Sequence, residues 1–498
     1  MNKNKSLYQL IFSLTRNEKR FFKIYASRHT IGSENNYVRL FDLFDAQKNF
    51  SEEKINELAE KSEFVKYFSA EKNYLYNMIL DCLDIYHKDS SVDRQISKLI
   101  NTGRVLLEKK LDKQSVDILH KALKISEFHN RIENITTINQ LLKKNEFAKE
   151  SVTKESLNEF QSSELVMVRQ LEKKLHYQHT FEQLLFLRRK QGDLTNNQEL
   201  EKLKQQYPHL SETLPKEHFT FDVEVYYLLS KLEFHRLTRN KSDGRKICLR
   251  LIDFLENNRP KISGEYIDRY IYVLYVFVVQ RLYSNTEEAN VALLKLRHLE
   301  QHIDSKVTTN EHARCFELYY NAVTDIFLES KNYYKVWSEI QEIERAFPIY
   351  EPHLTPTFIL ALHFNLSCLF FGLGEYRLAL KWLNKVRNVT TPFREDIFYD
   401  LRTLNLIIHL ELGNYEILPS LMKSALYYNK KHSIEQGIQK IIIGNFKQLL
   451  KAKRLKQKQK IYRQLREDFL QLKNNPSENR IFNDVDLIAW VDGKCLPM

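Results

Sequence analysis

A chain of 498 residues with a net charge of +12 is long enough for about three average domains or one long repeat array. Glycine and proline number only 11 and 10. Each is about 2% of the chain, against ordinary values of about 7% and 5%. That scarcity excludes folds that spend glycine on β-hairpins and βαβ turns, and it favours long helices joined by short polar loops.

The charges, 28% of residues, alternate in sign along most of the chain. The positive excess is therefore only a small hint of an acidic partner. The five cysteines, Cys82, Cys248, Cys315, Cys368 and Cys495, are far apart in sequence and odd in number. This argues against a disulfide framework or a local thiolate metal site, and for a reduced, cytoplasmic protein. Leu7 to Leu14 is too short and too polar for the apolar stretch of a leader, and no small-residue cleavage site follows. The most apolar run, Ile271 to Val279, is half of what a membrane span needs. It is expected to be a buried helix, with no membrane contact.

In chain order, residues 1–90 read as an N-terminal helical block. Thr15 and Glu18 form a capping box ahead of a helix carrying Phe21, Phe22 and Tyr25. Gly32 and Ser33 end it, and a second helix is predicted from Asn36 to Gln47. Ser51 and Ser69 are predicted to cap a third and a fourth helix, the last carrying Tyr74, Met78, Leu83 and Tyr86. Residues 91–215 read as a helical region with degenerate pairs, including Arg104–Ser126 and a long amphipathic stretch from Ser156 to Arg189. Gly192–Asp193 and Pro208 to Pro215 form the clearest break in the first half.

Residues 216–445 are more regular. From His363 to Pro392 the spacing predicts two antiparallel helices with a turn at Gly374 and Tyr376. Leu366, Ser367 and Phe370 share a face of the first helix, and Ala379, Leu383 and Val386 line the second. The small residues Ser367 and Ala379 let the two backbones approach. Phe327, Tyr333, Val336 and Ile340 make a similar unit, as do Gly413, Tyr415, Leu418, Met422 and Ala425. Their turn residues Lys331, Gly374 and Gly413 are 43 and 39 residues apart. This pattern resembles the tetratricopeptide repeat, specifically over 316–430, with periods longer than the family's own. Leu106, Leu119 and Ala122 occupy matching positions upstream, where Asp112 replaces the usual aromatic.

The resemblance implies an all-α superhelix, an irregular solenoid of helix pairs, whose first helices line a concave face. On this chain those positions are Phe364, Cys368 and Phe371, then Thr403, Ile407 and Leu410, with Asn321, Asp325 and Leu328 from the preceding unit. The Lys, Arg and Asn that would grip a peptide's terminal carboxylate are missing there. The apolar floor suits an amphipathic helix of a protein partner, or else the chain's own C-terminal segment.

Residues 446–498 begin with a predicted basic helix over 446–473, with Leu455, Tyr462 and Phe469 at seven-residue intervals and Leu465 and Leu472 beside them. A terminal helix near Val485, Leu487, Ile488 and Trp490 follows. Lys447, Lys451, Lys453, Arg454, Lys456, Lys458, Lys460, Arg463 and Arg466 come with no acidic residue before Glu467. Such a run either solvates a capping helix or neutralises phosphates. No phosphate loop, G-x-S-x-G or H-E-x-x-H motif occurs. His298 and His302, four apart around Glu300, would share a helix face but lack a third ligand, and His176 and His179 lie on a polar helix. The expectation is a non-catalytic protein without cofactor or metal, a scaffold or adaptor binding a protein segment. The alternative is a nucleic-acid-associated regulator using the basic helix.

Overall fold

The computed structural model describes residues 3–27, 36–47, 51, 68–87, 91–147, 153–191, 197–211, 219–281, 286–304, 307–386, 395–431, 437–473, 481–482 and 485–495. Among these residues every regular element is a helix and no strand occurs. None of the helices is long and apolar enough to cross a membrane. The chain divides into two compact units, residues 1–183 with 213–227, and residues 184–212 with 228–498.

The first unit opens with α1 (Lys3–Ser13), α2 (Arg16–Ser27), α3 (Asn36–Asp45) and α4 (Phe68–Tyr86). The Thr15 capping box forms as expected. The Thr15 backbone N–H donates to Glu18 Oε2 at 2.7 Å, and the Glu18 N–H donates to Thr15 Oγ1 at 3.3 Å. It starts α2 so that Phe22 points inward, 4.7 Å ring to ring from Phe41. Around that stack Leu7, Ile11, Leu40, Phe44, Leu75 and Ile79 close one apolar core. Ser69 lies inside the first turn of α4 rather than at its cap. The helix expected after Ser51, and the breaks at Gly32–Ser33 and Gly192–Asp193, fall outside the described residues.

Next come α5 (Val92–Glu108), α6 (Asp112–Phe128), α7 (Ile132–Phe147) and the long α8 (Lys154–Gln191), whose last residues belong to the second unit. α5 and α6 cross where both are small. Ser115 Oγ donates to the Gly103 carbonyl at 2.8 Å, and a Cβ on Gly103 would stand 2.7 Å from the Leu119 side chain.

The second unit continues with α9 (Asn197–Gln206), α10 (Pro208–Ser211), the C-terminal part of α11 (Phe221–Leu237), α12 (Lys241–Glu256), α13 (Glu265–Val279) and α14 (Thr286–Arg297). Then follow α15 (Thr309–Glu329), α16 (Val336–Tyr350), α17 (Pro356–Gly372), α18 (Tyr376–Lys385), α19 (Glu395–Glu411) and α20 (Leu418–Lys431). Each of α15 and α17 packs on both of its sequence neighbours and on the alternate helices to either side. α17 thus touches α15, α16, α18 and α19, and its apolar residues are buried all around. Ile271 to Val279 is part of α13 and is largely buried, as its composition predicts.

One turn recurs. Lys110, Asn130, Arg239, Arg281, Lys331, Gly374 and Gly413 each follow a helix with φ between 50° and 77°. At Gly374 the residue's N–H reaches the Phe371 carbonyl and the next N–H, of Glu375, reaches that of Phe370, both at 2.9 Å. The same pair of bonds closes the turns at Lys110, Asn130, Arg239, Lys331 and Gly413. This left-handed cap satisfies the last carbonyls of one helix and launches the next within a few residues. Five of the seven are not glycine, so their side chains carry the strain that glycine avoids.

The C-terminal elements are α21 (Gly437–Lys451), α22 (Leu455–Lys473) and α23 (Leu487–Cys495). The predicted basic helix over 446–473 is corrected here. It breaks at Ala452–Arg454, and the two pieces pack on each other as a hairpin. Leu465 and Phe469 are buried by that packing, whereas Leu455, at the bend, is 58% exposed and leaves the expected seven-residue stripe. His298 and His302 also do not share a helix face. α14 ends at Arg297, and the two histidines flank a 3-10 turn.

Candidate functional site

The residues expected along a concave face are packing positions. Phe364, Cys368 and Phe371 on α17 and Thr403, Ile407 and Leu410 on α19 are all buried, Leu410 being the most exposed at 7%. Their apolar side chains are covered, so they do not floor an open groove. At one end the cover is the chain's own C-terminal helix. The Trp490 ring lies 6.5 Å from that of Phe371. Trp490 Nε1 donates to Glu411 Oε1 at 2.8 Å, and Lys494 Nζ donates to Glu411 Oε2 at 2.7 Å. Asp486 pairs with Lys331. Val485, Leu487, Trp490 and Val491 are buried in consequence.

The polar positions of the same face are used as links between helices. Asn321 Nδ2 donates to the Tyr275 hydroxyl of α13 at 2.7 Å, and Asn365 Nδ2 of α17 donates to Asp325 Oδ1 at 3.0 Å. Thr403 Oγ1 donates to the Tyr399 carbonyl and accepts from Gln439 Nε2 at 2.9 Å. Gln439 is fully buried, and its Oε1 accepts from Asn429 Nδ2 at 2.9 Å, so one side chain joins α19, α20 and α21. A buried polar group left without such partners would cost about 1–3 kcal/mol.

Sequence reasoning missed a buried ionic cluster on α8, α11 and α13. The Glu233 carboxylate is closed off from solvent. Its Oε2 accepts from Arg188 Nε at 3.1 Å, and its Oε1 accepts from Arg236 and from the Tyr272 hydroxyl at 2.6 Å. Burial raises the Tyr272 hydroxyl's pKa, and Glu233 raises it further. For Arg236, burial acts to lower the pKa, but Tyr272 and Glu233 outweigh it and the guanidinium stays charged. Two arginines around one carboxylate satisfy a buried charge that would otherwise be costly. The E-x-x-R spacing of Glu233 and Arg236 within an apolar helix was the available signal.

Two of the open surfaces among the described residues lie in the second unit. The first is an apolar depression of about 320 Å³ between α12, α13 and α14. Ile252, Leu274, Phe277 and Ala292 form its floor, and the part-exposed Leu249 and Val291 its walls. Glu287 and Glu288 stand on its rim. The second is the bend of the α21–α22 hairpin. Lys451, Lys453, Arg454, Lys456, Lys460 and Arg463 are exposed there and Lys458 is half-exposed.

Among the described residues no group of three or more His, Cys, Asp or Glu is placed to hold a metal ion, and His176 and His179 are exposed. Cys82, Cys248, Cys315 and Cys368 are buried and form no disulfide, and burial raises the thiol pKa of Cys82, Cys248 and Cys315, the last to about 12. Compared with known proteins, the chain matches no family model, no curated protein and no solved structure.

Proposed function

We propose that the chain is a non-catalytic cytoplasmic scaffold, built of tetratricopeptide-like helix pairs stacked as an irregular superhelix, that holds an amphipathic helix of a protein partner. The observation that carries this reading is the recurrence of one unit. Left-handed turns at Arg239, Arg281, Lys331, Gly374 and Gly413 succeed one another at 39 to 50 residues. Within the α17–α18 unit Ser367 Oγ donates to the Ala379 carbonyl at 3.0 Å, the same small-residue crossing that Ser115 and Gly103 make. Such units leave elongated faces suited to binding chains.

The partner's seat in this reading is the depression between α12, α13 and α14, because the six expected groove positions of α17 and α19 are buried. Apolar anchors of a docked helix fill it, and a basic residue beside them meets Glu287. The test is affinity capture with Leu249→Asp combined with Val291→Asp. Both sites are part-exposed, so melting should be unchanged. A partner retained by the wild type at about 0.5 M salt, where surface charges are screened, should be lost from the variant. A partner held equally by both proteins sinks the assignment.

A further inference from the structure

We infer that the α21–α22 hairpin binds the phosphate backbone of a duplex nucleic acid without reading its sequence. The inference does not rest on the scaffold reading. It begins from what the fold does with the basic run. Instead of forming one stripe, the cations gather around a bend. Lys447 and Lys451 occupy the last turns of α21, and Lys453 and Arg454 the connector. Lys456, Lys460 and Arg463 share one face of α22, at spacings of four and three.

None of these groups has an ion-pair partner among the described residues. Several cations elsewhere in the second unit are paired. Arg245 pairs with Glu288, Lys295 with Glu256, Lys381 with Glu344, and Lys494 with Glu411. Even Arg466, the next cation along α22, pairs with Asp492. What sets the bend apart is density, seven such cations falling within the short stretch from Lys447 to Arg463. They also oppose folding. Lys456, Lys458 and Lys460 lie in the first turns of α22, where the helix dipole is already positive and favours acids. Lys456 and Lys460, four apart, repel one another. A merely solvated surface needs neither feature.

The geometry selects the polyanion. Lys456 and Arg463 are about 10 Å apart along the helix axis at 1.5 Å per residue, so the charge runs down the flank as well as over the tip. A duplex offers one charge per about 1.7 Å of axis and engages such a run. A flat anionic bilayer touches only the tip, and the exposed apolar residues there, Leu450 and Leu455, are too few to insert. Single-strand binders stack bases on exposed aromatics. Here Phe446 and Phe469 are buried, and Tyr462 is turned against Trp490 at 6.4 Å. Lysine outnumbers arginine in the run, as suits contact with phosphates by point charge.

The experiment measures fluorescence anisotropy of a labelled mixed-sequence duplex titrated with the full chain at about 50 to 200 mM salt. The wild type should bind, with log K falling by about 0.9 per contacted phosphate for each decade of salt. Changing Lys453, Arg454, Lys456 and Lys460 together to Gln should weaken binding at least about tenfold at low salt and flatten the slope by about one per lost contact. Melting should hold or rise. Absence of duplex binding by the wild type, equal binding by the variant, or tighter binding of the matching single strand overturns the proposal. So does sedimentation with phosphatidylserine vesicles that excess duplex fails to reverse.

Discussion

The α17–α18 and α21–α22 hairpins are built from the same parts and put to opposite use. Each is an antiparallel helix pair of the second unit. In the first, a left-handed glycine at 374 closes the turn, Ser367 bonds the Ala379 carbonyl, and α17 is buried on every side. In the second, Ala452 to Arg454 connect the helices without a left-handed residue, and the bend carries unpaired positive charge into solvent. In the first hairpin packing dictates nearly every residue of α17, and in α18 it dictates Ala379, Trp382 and Leu383. Only the inward faces of the second, with Phe446, Leu449, Leu465 and Phe469, answer to packing. Its outer residues are free to serve a ligand.

This contrast is easiest to break by removing volume from α17. Phe364→Ala and Phe370→Ala should each destabilise the fold by about 3–5 kcal/mol, and Leu366→Ala by about 2–5, as core cavities do. Chemical denaturation checks this. A Phe364 variant as stable as the wild type would return that side chain to an open groove.

Acid should separate the hairpins next. His363 of α17 is buried between Phe347 and Trp382, at ring distances of 5.2 and 5.5 Å, and neither ring nitrogen has a hydrogen-bond partner. Burial, with a smaller push from Lys385, lowers its pKa to about 4 from an ordinary 6.5. The folded state thus favours the neutral ring. The stability this gives is whole above pH 6.5 and is lost as pH falls from 6.5 towards 4. The loss over that window is about 3 kcal/mol at one pKa unit per 1.36 kcal/mol. Unfolding measured across that range should be flatter for His363→Leu. Equal slopes would show that the ring is reached by water.

Overpacking comes third. Ala379→Phe should cost about 1–3 kcal/mol, because the helices already meet through one hydrogen bond at that point. An unchanged melting temperature would place the crossing elsewhere. The smallest effect belongs to the second hairpin. The four-fold Gln variant at Lys453, Arg454, Lys456 and Lys460 should leave melting within about 0.5 kcal/mol of the wild type, as exposed sites do. A large loss would mean that these cations serve folding after all.

Much of the fold was legible because its signals are local. The capping box at Thr15, the turn residues Lys331, Gly374 and Gly413, and the Ser367–Ala379 crossing all act within about a dozen residues of sequence. The site was less legible. α17 is apolar on all faces, so helical period alone does not say which face meets solvent and which meets a neighbour. Phe364 and Phe371, assigned to a groove, share one face yet are both buried. Asn321 and Asp325 looked free for a partner but bond Tyr275 and Asn365, residues 46 and 40 positions away.

By itself the sequence determined that this is a helical protein, where a few of its caps and turns fall, and that Ser367 and Ala379 let two helices touch. Backbone hydrogen bonding, capping and side-chain entropy are decided within a few residues, so they are written locally. Only the tertiary structure decided that α23 covers Phe371 and bonds Glu411, that Glu233 closes a buried cluster with Arg188, Arg236 and Tyr272, and that the basic run bends at Ala452. Each depends on long-range burial. Burying a side chain repays its ordering only when distant segments have already come together, and no local pattern records which segments those are.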